Sequence, residues 1–186
     1  MENLSDGELV RRTLQGQNEA YGELVRRCQD GVFNVCYRML GERREAEDLA
    51  QEALLRGYQR LASFDSARPF GPWIRRVAAN LCLNHLKATA NTPEPLEEPE
   101  ALPAAPEDDP AALQEQAEGA QTLRRMIASL PPSQRAVIEL NHFQGLSYLE
   151  IAQELALPLS DVKSYLFRAR RLLAQRIHAH EPDPTP

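Results

Sequence analysis

Lys163, Ser164, Phe167, Arg168 and Arg171 recur at helical spacing near the C-terminus, within a segment (162–176) that holds five bases and no acid. Arg or Lys on an exposed helix face can read guanine in a DNA major groove, and Ser can read either base. Neighbouring cations such as Arg170 suit phosphate contacts. Such a helix must be presented by a partner helix at a fixed angle. Ser147-Tyr148-Leu149-Glu150 is a capping box that starts a short helix ending near Leu155. Ala156-Leu157-Pro158-Leu159 reads as a tight turn. Ser160 is expected to cap a last helix running to about His178, with its terminal amides turned outward toward a phosphate. Ile151, Leu155, Leu157, Val162 and Leu166 supply the buried face, and Ala152 the small residue where the helices cross. The pattern is that of a helix-turn-helix. The turn position that usually holds Gly is Ala156, where a left-handed backbone costs Ala about 1 kcal/mol.

A second basic cluster lies earlier. Residues 68–87 hold Arg68, Arg75, Arg76 and Lys87 and no acid. The preceding loop, Phe64-Asp65-Ser66-Ala67-Arg68, carries an aromatic and a hydroxyl. The bases of 68–87 form a second cationic stripe, separate from the first. Trp73, at a helix start, is expected in the core rather than as a stacking platform.

The charge balance places these clusters in separate units. The chain has 186 residues and a formal net charge of −6. Residues 1–87 carry 13 Lys+Arg and 12 Asp+Glu, and residues 110–186 carry eight of each. Residues 88–109 carry seven acids, no base and five prolines. Like charges repel and proline removes backbone donors, so 88–109 is expected to be a flexible acidic linker. The expected organisation is therefore a first domain over 1–87, the linker 88–109, a second domain over 110–180 and an unstructured tail over 181–186.

Other chemistries find little support. His142 and His178 lack a nucleophile elbow or paired ligands, and there is no Gly-x-x-x-x-Gly-Lys phosphate loop, so no enzyme is expected. His85 has no second ligand at metal spacing, and Cys28, Cys36 and Cys82 are too scattered for a disulfide framework or metal site. No cofactor and no metal are expected. The acidic N-terminus lacks an apolar core and no stretch is long and apolar enough to span a bilayer, so the expected location is the cytoplasm, without membrane insertion.

The elements that must position the two clusters are all helical. Ser5-Asp6-Gly7-Glu8 is a capping box, followed by Leu9, Val10 and Leu14. A second helix from Asn18 to Gly41 carries Tyr21, Leu24, Val25, Cys28, Val32, Val35, Cys36 and Met39 inward. A third, Arg44 to Leu61, is expected to bury Ala46, Leu49, Ala50, Ala53, Leu54 and Tyr58. Pro72 suits a first helical position, and a fourth helix follows to about Lys87. After the linker a helix from Pro110 reaches Leu130, and Ser133 is expected to cap a helix to Phe143. The fold class is all-α: a four-helix first domain and a helix-turn-helix second domain.

In this order the motifs resemble the extracytoplasmic-function (ECF, group 4) sigma factors of the bacterial sigma-70 family. Glu45-Ala46-Glu47-Asp48-Leu49-Ala50-Gln51-Glu52-Ala53-Leu54-Leu55-Arg56 resembles the family's acidic polymerase-docking helix. Phe70-Gly71-Pro72-Trp73-Ile74-Arg75-Arg76-Val77-Ala78-Ala79-Asn80 resembles its −10-binding helix. Leu130-Pro131-Pro132-Ser133-Gln134-Arg135, Gly145 to Ala152 and Val162 to Arg170 resemble its −35-binding domain. The resemblance implies sigma domain 2 followed by sigma domain 4. It implies an alternative sigma factor that binds core RNA polymerase, recognises −10 and −35 promoter elements and initiates transcription, nucleoid-associated through the polymerase. The polymerase would be met at the β′ coiled coil and the β flap, by Glu45, Asp48, Leu49, Gln51, Glu52, Leu55 and Arg56. The −10 contacts would be Phe64, Ser66, Arg68, Arg75, Arg76, Asn80, Asn84 and Lys87. The −35 contacts would be Ser160, Lys163, Ser164, Phe167, Arg168, Arg170 and Arg171. An anti-sigma factor is a further implied partner, and the linker would thread toward the RNA exit path. Asp161 and Tyr165 depart from the family, which often has Thr and Arg there; each change removes attraction for phosphate. The rival reading is a helix-turn-helix regulator that binds duplex DNA without polymerase.

Overall fold

A computed structural model describes the backbone of residues 4–89 and 110–180, with side chains described for 4–89 and 119–177. The expected linker and tail lie outside the described residues. Among the described residues eight α-helices follow in order: α1 (Asp6–Leu14), α2 (Asn18–Leu40), α3 (Arg43–Gln59), α4 (Phe70–Thr89), α5 (Pro110–Ala128), α6 (Pro132–Ile138), α7 (Tyr148–Glu154) and α8 (Leu159–His180). Among the described residues there is no strand.

Helices α1–α4 form the first bundle. Ser5 Oγ accepts from the Glu8 amide at 3.3 Å, which caps α1. The reciprocal half of the expected box is replaced, because the Glu8 carboxylate pairs with Arg11 and Arg12 instead. Gly41 ends α2 with φ of 83°, the left-handed conformation glycine adopts without cost. Glu42 caps α3 through both carboxylate oxygens, to the amides of Arg44 and Glu45. The core is built from Leu9, Val10, Leu24, Val32, Val35, Cys36, Met39, Phe70, Ile74 and Ala78, among others. Gly57 lets α3 approach α4 closely: a Cβ there would collide with Ile74 Cδ1.

Several burial expectations are corrected. Leu14 is exposed at the last turn of α1, and Val25, Leu49 and Leu54 are only half-buried. Tyr58 is exposed because its hydroxyl donates to Asn18 Oδ1 at 2.9 Å while its ring edge rests on Tyr21. The small residues Ala46, Ala50, Ala53 and Gly57 form the buried stripe of α3. Helix α4 begins at Phe70, so Pro72 is its third residue, still within the turn whose amides have no helical acceptor.

The three cysteines are buried core thiols. A hydrogen bond shared with Cys36, together with burial, pushes the Cys82 thiol far up, and burial pushes Cys28 up to about 12. Neither is a nucleophile or a ligand at neutral pH.

Helices α5–α8 form the second unit. Ser133 does not cap α6. The helix starts at Pro132 behind Pro131, with no side-chain cap. The expected helix to Phe143 is broken into α6 and a wider π turn over Glu139–Phe143, closed by the Gln144 amide on the Glu139 carbonyl at 3.1 Å. Such turns re-aim side chains and are frequent at functional sites. The two units share one contiguous cluster of buried residues. The end of α5 lies on α2, where a Cβ at Gly41 would come within 2.9 Å of Ala128 Cβ.

Candidate nucleic-acid interface

The helix-turn-helix forms as the sequence predicts. Ser147 Oγ accepts from the Glu150 amide at 3.3 Å, and Glu150 Oε2 accepts from the Ser147 amide and hydroxyl at 2.8 Å each. These Ser147 bonds hold the Glu150 carboxyl below the usual carboxylate range, with the charges of Arg76 and Arg68 adding to the effect. Ile151, Val162 and Leu166 are fully buried where α7 meets α8, while Ala152, Leu155 and Leu157 are half-buried around them. Ala156 sits at φ 50°, the one non-glycine with positive φ among the described residues, and Leu157 N–H closes the turn on Ala152 O at 3.0 Å.

Lys163, Ser164, Phe167, Arg168, Arg170 and Arg171 are all exposed along α8. Phe167 is 68% exposed, an apolar side chain free to meet a thymine methyl or a base edge. Lys163, Phe167, Arg170 and Arg171 line a shallow cleft of about 460 Å³ with Tyr148 and Leu166. Arg170 is braced within the unit, donating to Tyr148 Oη at 3.1 Å and Asn141 Oδ1 at 2.8 Å. The Ser160 expectation is corrected. Helix α8 starts at Leu159, so Ser160 lies inside the first turn, and its hydroxyl donates to Asp161 Oδ1 at 3.3 Å.

The second cluster occupies α4 and the loop before it. Asp65 Oδ1 accepts from the Ala67 amide at 3.0 Å and its carboxylate pairs with exposed Arg68 at 3.4 Å, which shapes the loop around exposed Ser66. Asp6 of α1 accepts from the Phe70 amide at 3.3 Å and ties the loop's end to the bundle. Phe64 does not offer a free face to a base. It is 8% exposed, packed 5.5 Å from Phe70 and 5.0 Å from Trp73, so it supports the loop from beneath. Trp73 is half-buried in the same aromatic group. Asn84 and Lys87 are exposed, while Arg75, Arg76 and Asn80 are half-buried.

That partial burial comes from the second unit. Arg75 Nε donates to Gln144 Oε1 at 2.7 Å, and Asn80 Nδ2 donates to Glu154 Oε1 at 2.6 Å. Arg38 of α2 forms a bidentate pair with fully buried Glu139, both contacts at 2.8 Å, and Gln144 donates to the same carboxylate at 2.9 Å. Phe143 lies under the Arg38 guanidinium, 4.3 Å from it. Arg135 donates across to Met39 O and to Leu130 O; burial lowers its pKa to about 10, which leaves it charged at neutral pH. Sequence reasoning missed Arg38, Asn141, Phe143, Gln144 and Glu154. They carry no local signal, since their partners lie far along the chain.

The acidic face of α3 is a third surface. Glu45, Asp48, Gln51 and Leu55 are exposed, and Leu49, Glu52 and Arg56 are half-buried. Arg56 pairs with Glu52 at 2.6 Å, and Glu45 approaches His85 Nε2 at 3.6 Å. Leu55, 53% exposed beside these charges, adds an apolar contact suited to a protein partner.

Comparison with known proteins identifies the family. Residues 24–92 match the Sigma-70 region 2 family, and residues 120–173 match the Sigma-70, region 4 family. The chain is 33% identical over 180 residues to the ECF RNA polymerase sigma factor SigW of Bacillus subtilis, covering 90% of this chain and 94% of that protein. It is 33% identical over 185 residues to the ECF RNA polymerase sigma-E factor of Escherichia coli, covering 95% and 96%. In fold it is similar to CnrH solved with the cytosolic domain of CnrY (TM-score 0.61, 24% identity, 95% and 99% covered). It is also similar to the sigma factor RpoE of Bartonella quintana solved with the anti-sigma factor NepR (TM-score 0.64, 18% identity, 87% and 98% covered). With both sigma regions in order and a third of its residues shared along nearly its whole length, the chain belongs to the ECF sigma factors of the sigma-70 family.

Proposed function

We infer that the chain is an alternative sigma factor that joins core RNA polymerase, recognises −10 and −35 promoter elements and initiates transcription. The observation that carries this reading is the pairing of two basic helical surfaces on α4 and α8 with a separate acidic docking face on α3. A duplex-binding regulator would need only the helix-turn-helix.

In this reading residues 1–87 act as domain 2 and residues 110–180 as domain 4. Helix α3 docks on the β′ coiled coil with Leu55 as an apolar contact, and domain 4 meets the β flap. Lys163, Ser164, Phe167 and Arg168 meet bases of the −35 element; Arg171 and braced Arg170 hold phosphates. Arg68, Arg75, Arg76, Asn80, Asn84 and Lys87 hold the −10 strand, with Ser66 at the captured base. Unpairing a base costs a few kcal/mol, and binding energy in the loop pocket offsets it, so the protein works by binding and not as an enzyme. It works in the cytoplasm, where an anti-sigma factor controls its access to polymerase. The three proteins named above as sigma factors support this partner set.

The test is transcription in vitro from a promoter library, using core polymerase with and without the chain. The expected result is a discrete set of promoters active only when the chain is present. Activity at no promoter overturns the reading.

A further inference from the structure

Two members of the basic stripe assigned above to the −10 element, Arg75 and Asn80, are engaged by the second unit in this structure, through an amide oxygen and a carboxylate. Gln144 Oε1 takes Arg75 and Glu154 Oε1 takes Asn80, at 2.7 and 2.6 Å. The Glu150 carboxylate lies within the electrostatic reach of Arg76 and Arg68. These acceptors come from Gln144, which closes the π turn, and from α7 of the second unit, and they occupy side chains that the −10 assignment gives to a DNA strand. The contact is held at its edge by Arg38 and Glu139. That carboxylate is 0% exposed, is gripped by both guanidinium nitrogens at 2.8 Å and takes a third bond from Gln144.

We propose that the acidic face of the second domain is an intramolecular substitute for promoter DNA, which closes the −10 surface in the free chain, with Arg38–Glu139 as the latch. The proposal rests on the −10 assignment above. Elements named −10 and −35 lie about 25 base pairs apart, about 85 Å at ~3.4 Å per pair. Two recognition units in direct contact cannot hold both. Closure and promoter engagement therefore exclude each other. A buried ion pair gains little net energy, because opening hydrates both charges. The latch is thus specific but reversible, and a partner that binds the open form better shifts the population.

The test uses the full-length chain, Arg38→Glu, and the charge swap Arg38→Glu with Glu139→Arg. Far-ultraviolet circular dichroism checks that each keeps its helices. Small-angle scattering reads compactness, and fluorescence anisotropy reads binding of a fluorescein-labelled random-sequence 20-nucleotide single strand at low salt. The expected result is an expanded Arg38→Glu chain that binds the strand at least about fivefold tighter, with the swap returning both readouts toward the parent. The variant removes positive charge, so a bulk charge effect would weaken DNA binding and cannot produce this result. Equal affinity of parent and Arg38→Glu, or a parent already as expanded as the variant, overturns the closure. Arg75→Ala added to Arg38→Glu tests the assignment beneath it: loss of the gained affinity is expected, and unchanged affinity overturns the assignment itself.

Discussion

At the scale of single residues, the turn between α7 and α8 holds a strained position that the sequence already exposes. Ala156 stands at φ 50°, and its Cβ meets the backbone there in a way that Gly avoids. The residue is exposed, so no packing is lost when its methyl is removed. Ala156→Gly is expected to stabilise the chain by up to about 0.5 kcal/mol, the left-handed penalty of about 1 kcal/mol less the roughly 0.4–1 kcal/mol of extra entropy of Gly in the unfolded chain. Urea denaturation reads this as a higher midpoint at unchanged slope, and a lower midpoint would show that the turn is not strained. The family resemblance implies Phe64 near the captured base. Instead it completes an aromatic group with Phe70 and Trp73. Nothing in the spacing of one aromatic says whether its face points outward or down.

At the scale of elements, helix α3 divides its faces more sharply than its hydrophobic residues suggest. Its buried stripe is Ala46, Ala50, Ala53 and Gly57, so its large apolar residues Leu49, Leu54 and Leu55 lie wholly or partly outside the core. A periodicity reading weights Leu and Tyr over Ala and Gly, and it therefore placed Leu49, Leu54 and Tyr58 inside. Close helix approach reverses that weighting, as the contact of Gly57 with Ile74 shows. The consequence is an exposed Leu55 on the acidic face proposed to dock on polymerase. Burying such a side chain at an interface is worth about 1.5–3 kcal/mol. Leu55→Asp is therefore expected to weaken binding to core polymerase by roughly 10- to 100-fold, while thermal unfolding of the free chain stays within about 0.5 kcal/mol of the parent. Binding measured by fluorescence anisotropy of a labelled chain checks the first part and a thermal melt the second. Undiminished binding would remove α3 from the docking surface. Caps and turns were otherwise legible here: Ser5, Gly41 and the Ser147–Glu150 box each act where local chemistry places them. The error at Ser133 arose because the adjacent Pro132 starts α6, and the error at Ser160 because α8 begins one residue earlier, at Leu159 behind Pro158.

At the scale of the whole molecule, both all-helical units were readable from charge blocks and helical period, but their mutual arrangement was not. The bonds that join them connect residues about 70 to 100 positions apart, such as Arg75 to Gln144 and Arg38 to Glu139. A pattern search sees each partner as an ordinary surface residue. Yet the buried residues of both units form one cluster, and fully buried Glu139 pairs with Arg38 across the contact. Units that share buried surface unfold together, because the loss of one exposes the contact face of the other. Scanning calorimetry of the parent chain is therefore expected to give a single transition whose calorimetric and van't Hoff enthalpies agree. In Arg38→Glu two carboxylates face each other where a pair stood, so the units should separate and melt in two transitions, with enthalpies that sum to less than the parent's. The charge swap with Glu139→Arg should bring the single transition back, since it rebuilds the pair in reverse. If the parent already melts in two steps at the variant's temperatures, the units do not stabilise each other, and the polar bridge between α2 and the π turn contributes nothing to the free protein.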